Sequence, residues 1–154
     1  MTSTQQLVAA NPALHHFALA AAALSLKMVA LSVSASTTRV LTNSFETKED
    51  GGKWATGEKG KPWAQGVIAR LNACLTHDTV NNVALLFAGL AYALVAKPDA
   101  EVSKRLFATI VGARYAHSLA YLAHLQPWRA VAHFVAYSAG IEAAVRAIGD
   151  ATAN

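Results

Sequence analysis

Between Leu14 and Leu41 the chain is dominated by Ala, Leu and Val, and the only charged residues are Lys27 and Arg39. A bilayer's hydrocarbon core is crossed by about 20 helical residues. The segment FALAAAALSLKMVALSVSAS supplies them, with Arg39 near one boundary. The competing reading is a buried helix of a soluble protein, but such helices seldom run this long without a polar face. No Lys or Arg precedes the run and no small-residue cleavage site follows a short core, so the reading is a retained span rather than a removed signal. Composition points the same way: 54% of the 154 residues are apolar and 14% charged, against about 45 to 50% and 25% in ordinary soluble domains. A chain of this length holds one domain.

From Thr42 to Gly66 the character changes to an aqueous loop with four Lys, three Glu and one Asp among glycines and two tryptophans. Trp54 and Trp63 are placed to anchor the chain at the headgroups. The four lysines favour a cytoplasmic side, although Lys97, Lys104 and Arg105 charge the opposite loop. Three further helices follow, giving spans of approximately 14–41, 65–95, 104–125 and 129–148 in a single membrane domain covering 1–154. Lys97-Pro98-Asp99 ends the second helix, Pro127 turns the third into the fourth, and Asp150 to Asn154 read as a polar tail. The expected fold is all-α, an integral membrane four-helix up-and-down bundle with both termini on one side.

The second helix has two unlike halves. GVIARLNACLTHDTVNN carries Arg70, Asn72, His77, Asp78, Asn81 and Asn82, none of which tolerates lipid, so they point to a protein interior or a wet cavity. Arg70, His77, Asp78 and Asn81 recur at spacings that share one face. Arg114, His117 and Tyr121 follow the same rule on the third helix, presenting a cation, an imidazole and a phenol to one space. A four-helix subunit does not easily hide so many polar groups alone, which favours a symmetric oligomer. Gly89, Gly112, Gly140 and the many alanines let helices approach closely.

Other classes are disfavoured. The formal charge is +4, but the thirteen Lys and Arg never gather into a stripe with interleaved aromatics, so no nucleic-acid partner is expected. Six histidines are present, yet His117, His124 and His133 lack the carboxylate or cysteine that would complete a familiar ligand set, and no metal is expected. The lone Cys74 excludes an intrachain disulfide and reads as a small core residue.

The third and fourth helices carry the most specific signal: Gly112, Ala113, Arg114, His117, Ala120, Tyr121 and Leu122, then Gln126, Pro127, Arg129 and Ala130. This order strongly resembles the microsomal glutathione transferase branch of the MAPEG superfamily. Ser25, Lys27 and Met28, then Arg39, Phe45, Glu49 and Asp50 extend the resemblance over most of the chain. In the second helix Arg70, Asp78 and Asn81 fall at matching positions, whereas Ala73, His77 and Val80 stand where the family has an arginine, an asparagine and a glutamate that help hold glutathione. The alanine after Arg129 is similar to the transferase branch rather than to the prostaglandin synthase branch, which resembles a serine there.

The resemblance implies a homotrimer in membrane lipid. Glutathione serves as co-substrate at subunit boundaries facing the cytoplasm, and a hydrophobic electrophile or lipid hydroperoxide enters from the bilayer. The implied activity is glutathione conjugation, with glutathione peroxidase activity beside it. The alternative is a non-catalytic lipid-binding or scaffold member of the same fold, since fold alone does not fix function. Glutathione's thiol ionises near about 8.5, and the thiolate is the nucleophile, so a permanently charged guanidinium at the start of a helix is suited to stabilise it. Arg129 is the catalytic candidate, against a bland reading as an interfacial anchor beside Trp128. Arg39 and Arg114 are candidates for glutathione's carboxylates, against a flank charge for Arg39 and an ion pair with Asp78 for Arg114. Arg70, Asp78 and Asn81 are carried over as glutathione-binding by position. His77 can replace one hydrogen bond of the missing asparagine, and His117 and Tyr121 can hydrogen-bond the tripeptide or its thiolate. Lys27 reads as structural.

Overall fold

The structure is a computed structural model that describes residues 10–45, 47 and 61–153. Glu49, Asp50 and Trp54 lie outside the described residues. All regular elements among the described residues are helices: α1 (Pro12–Thr42), α2 (Pro62–Val95), α3 (Ala100–Leu122) and α4 (Trp128–Ala153). Compared with the spans expected from sequence, α1 and α4 are longer at both ends and α2 starts earlier, whereas α3 starts earlier, at Ala100, and stops at Leu122, short of Leu125. The α4 helix continues through Asp150 to Ala153, where a polar tail is expected from sequence, and Thr152 returns a hydrogen bond to the Gly149 carbonyl.

Helix starts and stops follow local chemistry. Asn11 caps α1 by accepting from the amides of Ala13 and Leu14, and Pro12 occupies the first turn, where an amide hydrogen has no partner anyway. Its side-chain amide also donates to the Ala93 carbonyl at 2.8 Å, tying the start of α1 to the end of α2. Asn43 closes α1 in the left-handed region. Pro62 opens α2. Lys97 and His124 take positive φ in the two short turns.

The helices form a ring in the order α1, α2, α4, α3, and α2 also touches α3 across the middle. One apolar cluster, including Leu24, Leu85, Tyr92, Phe107 and Ile110, fills one end of the bundle. A smaller one of Leu31, Ala35, Leu71 and Cys74 fills the other. Packing is close at Gly89: a Cβ there would meet Phe107 Cε1 at 2.8 Å. Gly89→Ala is therefore expected to lower the stability of the solubilised protein by about 1–3 kcal/mol. Phe107→Leu in the same chain should recover part of the loss, as thermal unfolding in detergent would show.

Between the clusters the usual pattern is inverted, with charge inside and apolar side chains outside. Lys27, Asp78 and Arg114, all near the middle of their helices, are 6%, 0% and 0% exposed, while Leu26, Phe87, Leu119 and Phe134 are each about two-thirds exposed. Water-soluble chains rarely display apolar surface on this scale, and charged groups at membrane depth face the interior. By length and apolar content α1 and α2 qualify to cross a bilayer. The other two helices carry interior polar groups such as Arg114, His117, Ser118 and His133, which dilute their apolar character. Trp63 and Trp128, both largely exposed, mark the starts of the parallel helices α2 and α4, the same end to which α1 brings Arg39.

Candidate active site

The mid-bundle ion cluster organises the site. Asp78 Oδ1 pairs with Arg114 Nη2 at 2.5 Å, and its Oδ2 pairs with Lys27 Nζ at 2.8 Å. Lys27 also donates to the Arg114 carbonyl and to Ser118 Oγ, each at 3.0 Å. Arg114 Nε donates to Asn82 Oδ1 at 2.9 Å. Three helices are thereby pinned at one depth around two cations and one anion, so the described interior carries an uncompensated positive charge. Of the roles open to Arg114 in the sequence, the ion pair with Asp78 is the contact it makes. Neither residue lines the cavity described next.

Toward the end where α3 turns into α4, a cavity of about 410 Å³ is lined by His77, His117, Tyr121, Arg129, Ala130, His133 and Phe134. Helix register explains the convergence. His117 and Tyr121 are four residues apart on α3, Arg129 and His133 four apart on α4, and such pairs share a face. The Gln126–Pro127 turn brings the two faces together.

Arg129 lies in the first turn of α4, at the positive end of the helix dipole, although the amides of Arg129, Ala130 and Val131 already donate to the Leu125 and Pro127 carbonyls. Its guanidinium sits 5.0 Å from the centre of the Tyr121 ring. The Gln126 side-chain oxygen accepts from Arg129 Nε and Nη2 at 3.1 and 2.9 Å once the amide is oriented to suit its neighbours. Arg70 also supports Tyr121, donating to its carbonyl at 2.6 Å with the guanidinium 5.4 Å from its ring. Two cation–aromatic contacts of about 0.5–2 kcal/mol each thus hold one phenol and one guanidinium in register.

The imidazoles of His77 and His117 stack at 4.5 Å with an interplanar angle of 12°, and His133 tilts against both, at 5.3 and 5.7 Å. The His117 Nδ1 lies 3.0 Å from the Arg129 carbonyl, and His77 Nδ1 lies 3.5 Å from Arg114 Nη2. Buried nitrogens without a hydrogen-bond partner include His117 Nε2, His133 Nδ1 and Arg114 Nη1. The rings face one another, and no group of three or more His, Cys, Asp or Glu among the described residues is placed to hold a metal ion.

Of the residues singled out from sequence, four therefore meet at one cavity: Arg129, His77, His117 and Tyr121. Arg70 touches it through Tyr121. Asn81 is buried behind it, its amide donating to the His77 carbonyl and its oxygen accepting from the Tyr137 hydroxyl. Arg39, in the last turn of α1, is not among the lining residues. Sequence reasoning weighed His133 as a metal ligand alone and did not single out Phe134 for the site. The available signal was that His133 lies four residues after Arg129.

A family model described as the MAPEG family matches residues 17–149. Microsomal glutathione S-transferase 1 from Mus musculus is 32% identical to this chain over 123 residues, which cover 78% of this chain and 79% of the mouse protein. Its counterparts from Rattus norvegicus and Homo sapiens are 33% and 32% identical over the same length and shares.

Proposed function

This chain belongs to the MAPEG family, and from that premise we propose that it is a multi-pass membrane glutathione transferase that conjugates glutathione to hydrophobic electrophiles and reduces hydroperoxides with the same thiolate. The single observation that carries the reading is the cavity in which Arg129, stacked on Tyr121 at the first turn of α4, faces His77 and His117. A fixed guanidinium at the positive end of a helix dipole lowers the energy of an adjacent thiolate. The thiolate then forms a carbon–sulfur bond, and the leaving group departs with its electron pair. Apolar substrates reach this point through lipid, past Phe134, which is 68% exposed beside the cavity.

In this proposal Arg70 holds Tyr121, the Lys27–Asp78–Arg114 cluster holds the helices and orients His77, and Asn81 fixes the backbone at His77. Arg39 binds a glutathione carboxylate after assembly into a homotrimer, with the tripeptide at the subunit boundary and facing the cytoplasm. The second reading, a lipid-binding member without catalysis, is favoured by one feature. Ala73 and Val80, which stand where the family's arginine and glutamate are expected, are both exposed and cannot pair with glutathione. The two readings separate in one assay on detergent-solubilised protein. The transferase binds glutathione and turns over a generic aromatic halide, whereas a lipid binder takes up fatty acid and leaves glutathione untouched.

A further inference from the structure

The histidine cluster has chemistry that thiolate stabilisation by Arg129 leaves unused. A carbonyl oxygen only accepts, so His117 Nδ1, 3.0 Å from the Arg129 carbonyl, carries the ring's hydrogen. The neutral ring then has its lone pair at Nε2, which is buried and has no partner. By the same logic Arg114 only donates, so His77 Nδ1 accepts and its proton sits on Nε2. His133 carries a second buried, unpartnered nitrogen and stands one helical turn beyond Arg129, next to Phe134. The cavity thus holds a base beside the thiolate anchor and another imidazole toward its apolar side.

We propose that His117 and His133 keep the thiol's proton inside the cavity and return it to the oxygen that leaves during hydroperoxide reduction. The inference rests on the glutathione reading above. His117 Nε2 takes the proton of the thiol as the thiolate settles on Arg129. The thiolate attacks the terminal peroxide oxygen, a sulfur–oxygen bond forms, the oxygen–oxygen bond breaks, and its electron pair leaves on the alkoxide. The retained proton passes through His133 to that alkoxide, giving the alcohol. Sulfur is oxidised to a sulfenic acid and the peroxide oxygen is reduced. A second glutathione then condenses with the sulfenic acid, giving the disulfide and water.

Three features favour retention. Moving a proton from thiol to imidazole leaves the cavity's net charge unchanged, so the nearby cations Arg114, Arg129 and Lys27, with Asp78 as counter-ion, meet no added charge overall. The imidazolium formed at His117 lies face to face with His77 at 4.5 Å, an arrangement that tolerates a cation over a π-system. An alkoxide is a strongly basic leaving group, and a positioned proton donor speeds such a step by about 10²–10⁴-fold. A halide leaving from an aromatic ring takes no proton, so the return step through His133 matters for hydroperoxides and not for conjugation of that kind, whereas thiol deprotonation at His117 serves both.

The test counts protons and thiolate together. Full-length protein in detergent is mixed with glutathione in weakly buffered indicator solution while the thiolate's ultraviolet absorbance is followed. Wild type is expected to form thiolate while releasing well under one proton for each. His117→Asn, which keeps an amide donor near the Arg129 carbonyl and removes the base, is expected to release about one. Release of about one proton per thiolate by wild type overturns the proposal and leaves the transferase reading standing. Absence of any thiolate overturns both. A second variant guards against a folding defect in the first: His133→Phe is expected to lower the ratio of cumene hydroperoxide reduction to aromatic halide conjugation at least about 10-fold. A ratio equal to that of wild type also overturns the proposal.

Discussion

Arg129→Ala is expected to lower the rate constant of the proposed conjugation by about 10²–10³-fold, the loss typical when one fixed donor to a developing or bound anion is removed. The fold survives, because Arg129 is half-buried at a helix start and its side-chain partners are the Tyr121 ring and the Gln126 oxygen. Those same contacts separate the lysine variant from the native protein. An ammonium supplies charge but cannot donate through two nitrogens to Gln126 while lying over the Tyr121 ring, so Arg129→Lys is expected to recover only part of the rate. Steady-state kinetics with a generic aromatic halide, on protein whose helicity matches wild type, checks both. A lysine variant as slow as the alanine one would mean that geometry, and not charge, dominates.

Asp78→Asn has the largest effect on stability. It removes the anion that faces two buried cations at 2.5 and 2.8 Å, and breaking a buried pair in this way costs about 3–5 kcal/mol. Most of that loss is the uncompensated charge left behind. Lys27→Met should therefore restore part of the stability of the Asp78→Asn protein, since it removes one stranded cation and leaves Arg114 its bond to Asn82. Thermal unfolding in detergent with size-exclusion recovery measures the series. A double variant no more stable than Asp78→Asn would show that the cluster acts through hydrogen-bond geometry instead of charge.

Both predictions rest on features that the sequence discloses unevenly. The four helices are legible because Pro98 and Pro127 punctuate long apolar runs, and because mid-helix polar groups at spacings of three and four must share an interior face; the starts at Pro12 and Pro62 lie ahead of the expected spans. An ion pair of Arg114 with Asp78 is one of two roles that burial leaves open in the sequence, and Lys27 reads only as structural; the contacts that join all three emerge from the packing. What the chain does not spell out is the vertical register between helices. Arg39 and Arg70 carry the same charge as Arg129, yet one lies outside the cavity lining and the other acts through Tyr121, because inter-helix offsets arise from packing at contacts such as Gly89 against Phe107.

His133 shows the same limit from the opposite direction. A lone histidine on an apolar helix face carries little meaning until its neighbours across the bundle are known. Its spacing of four from Arg129 gains weight only when His77 and His117 prove to be stacked opposite. Asn81 is similar. Its place on the polar face of α2 was readable, but its acceptance of a hydrogen bond from Tyr137 on α4 was not. The proposal that α3 and α4 also span the membrane rests on the apolar exterior of residues such as Leu119 and Ile148, a signal that whole-helix hydropathy blurs because the same helices carry Arg114, His117 and Arg129.

The most direct test of the central claim is the ionisation of bound glutathione, followed by thiolate absorbance as a function of pH in wild type and in Arg129→Ala. The bound thiol is expected to ionise well below its ordinary value of about 8.5 in wild type and to return toward that value in the variant. Identical ionisation curves in the two proteins, or no bound thiolate in wild type at any pH, would contradict the claim.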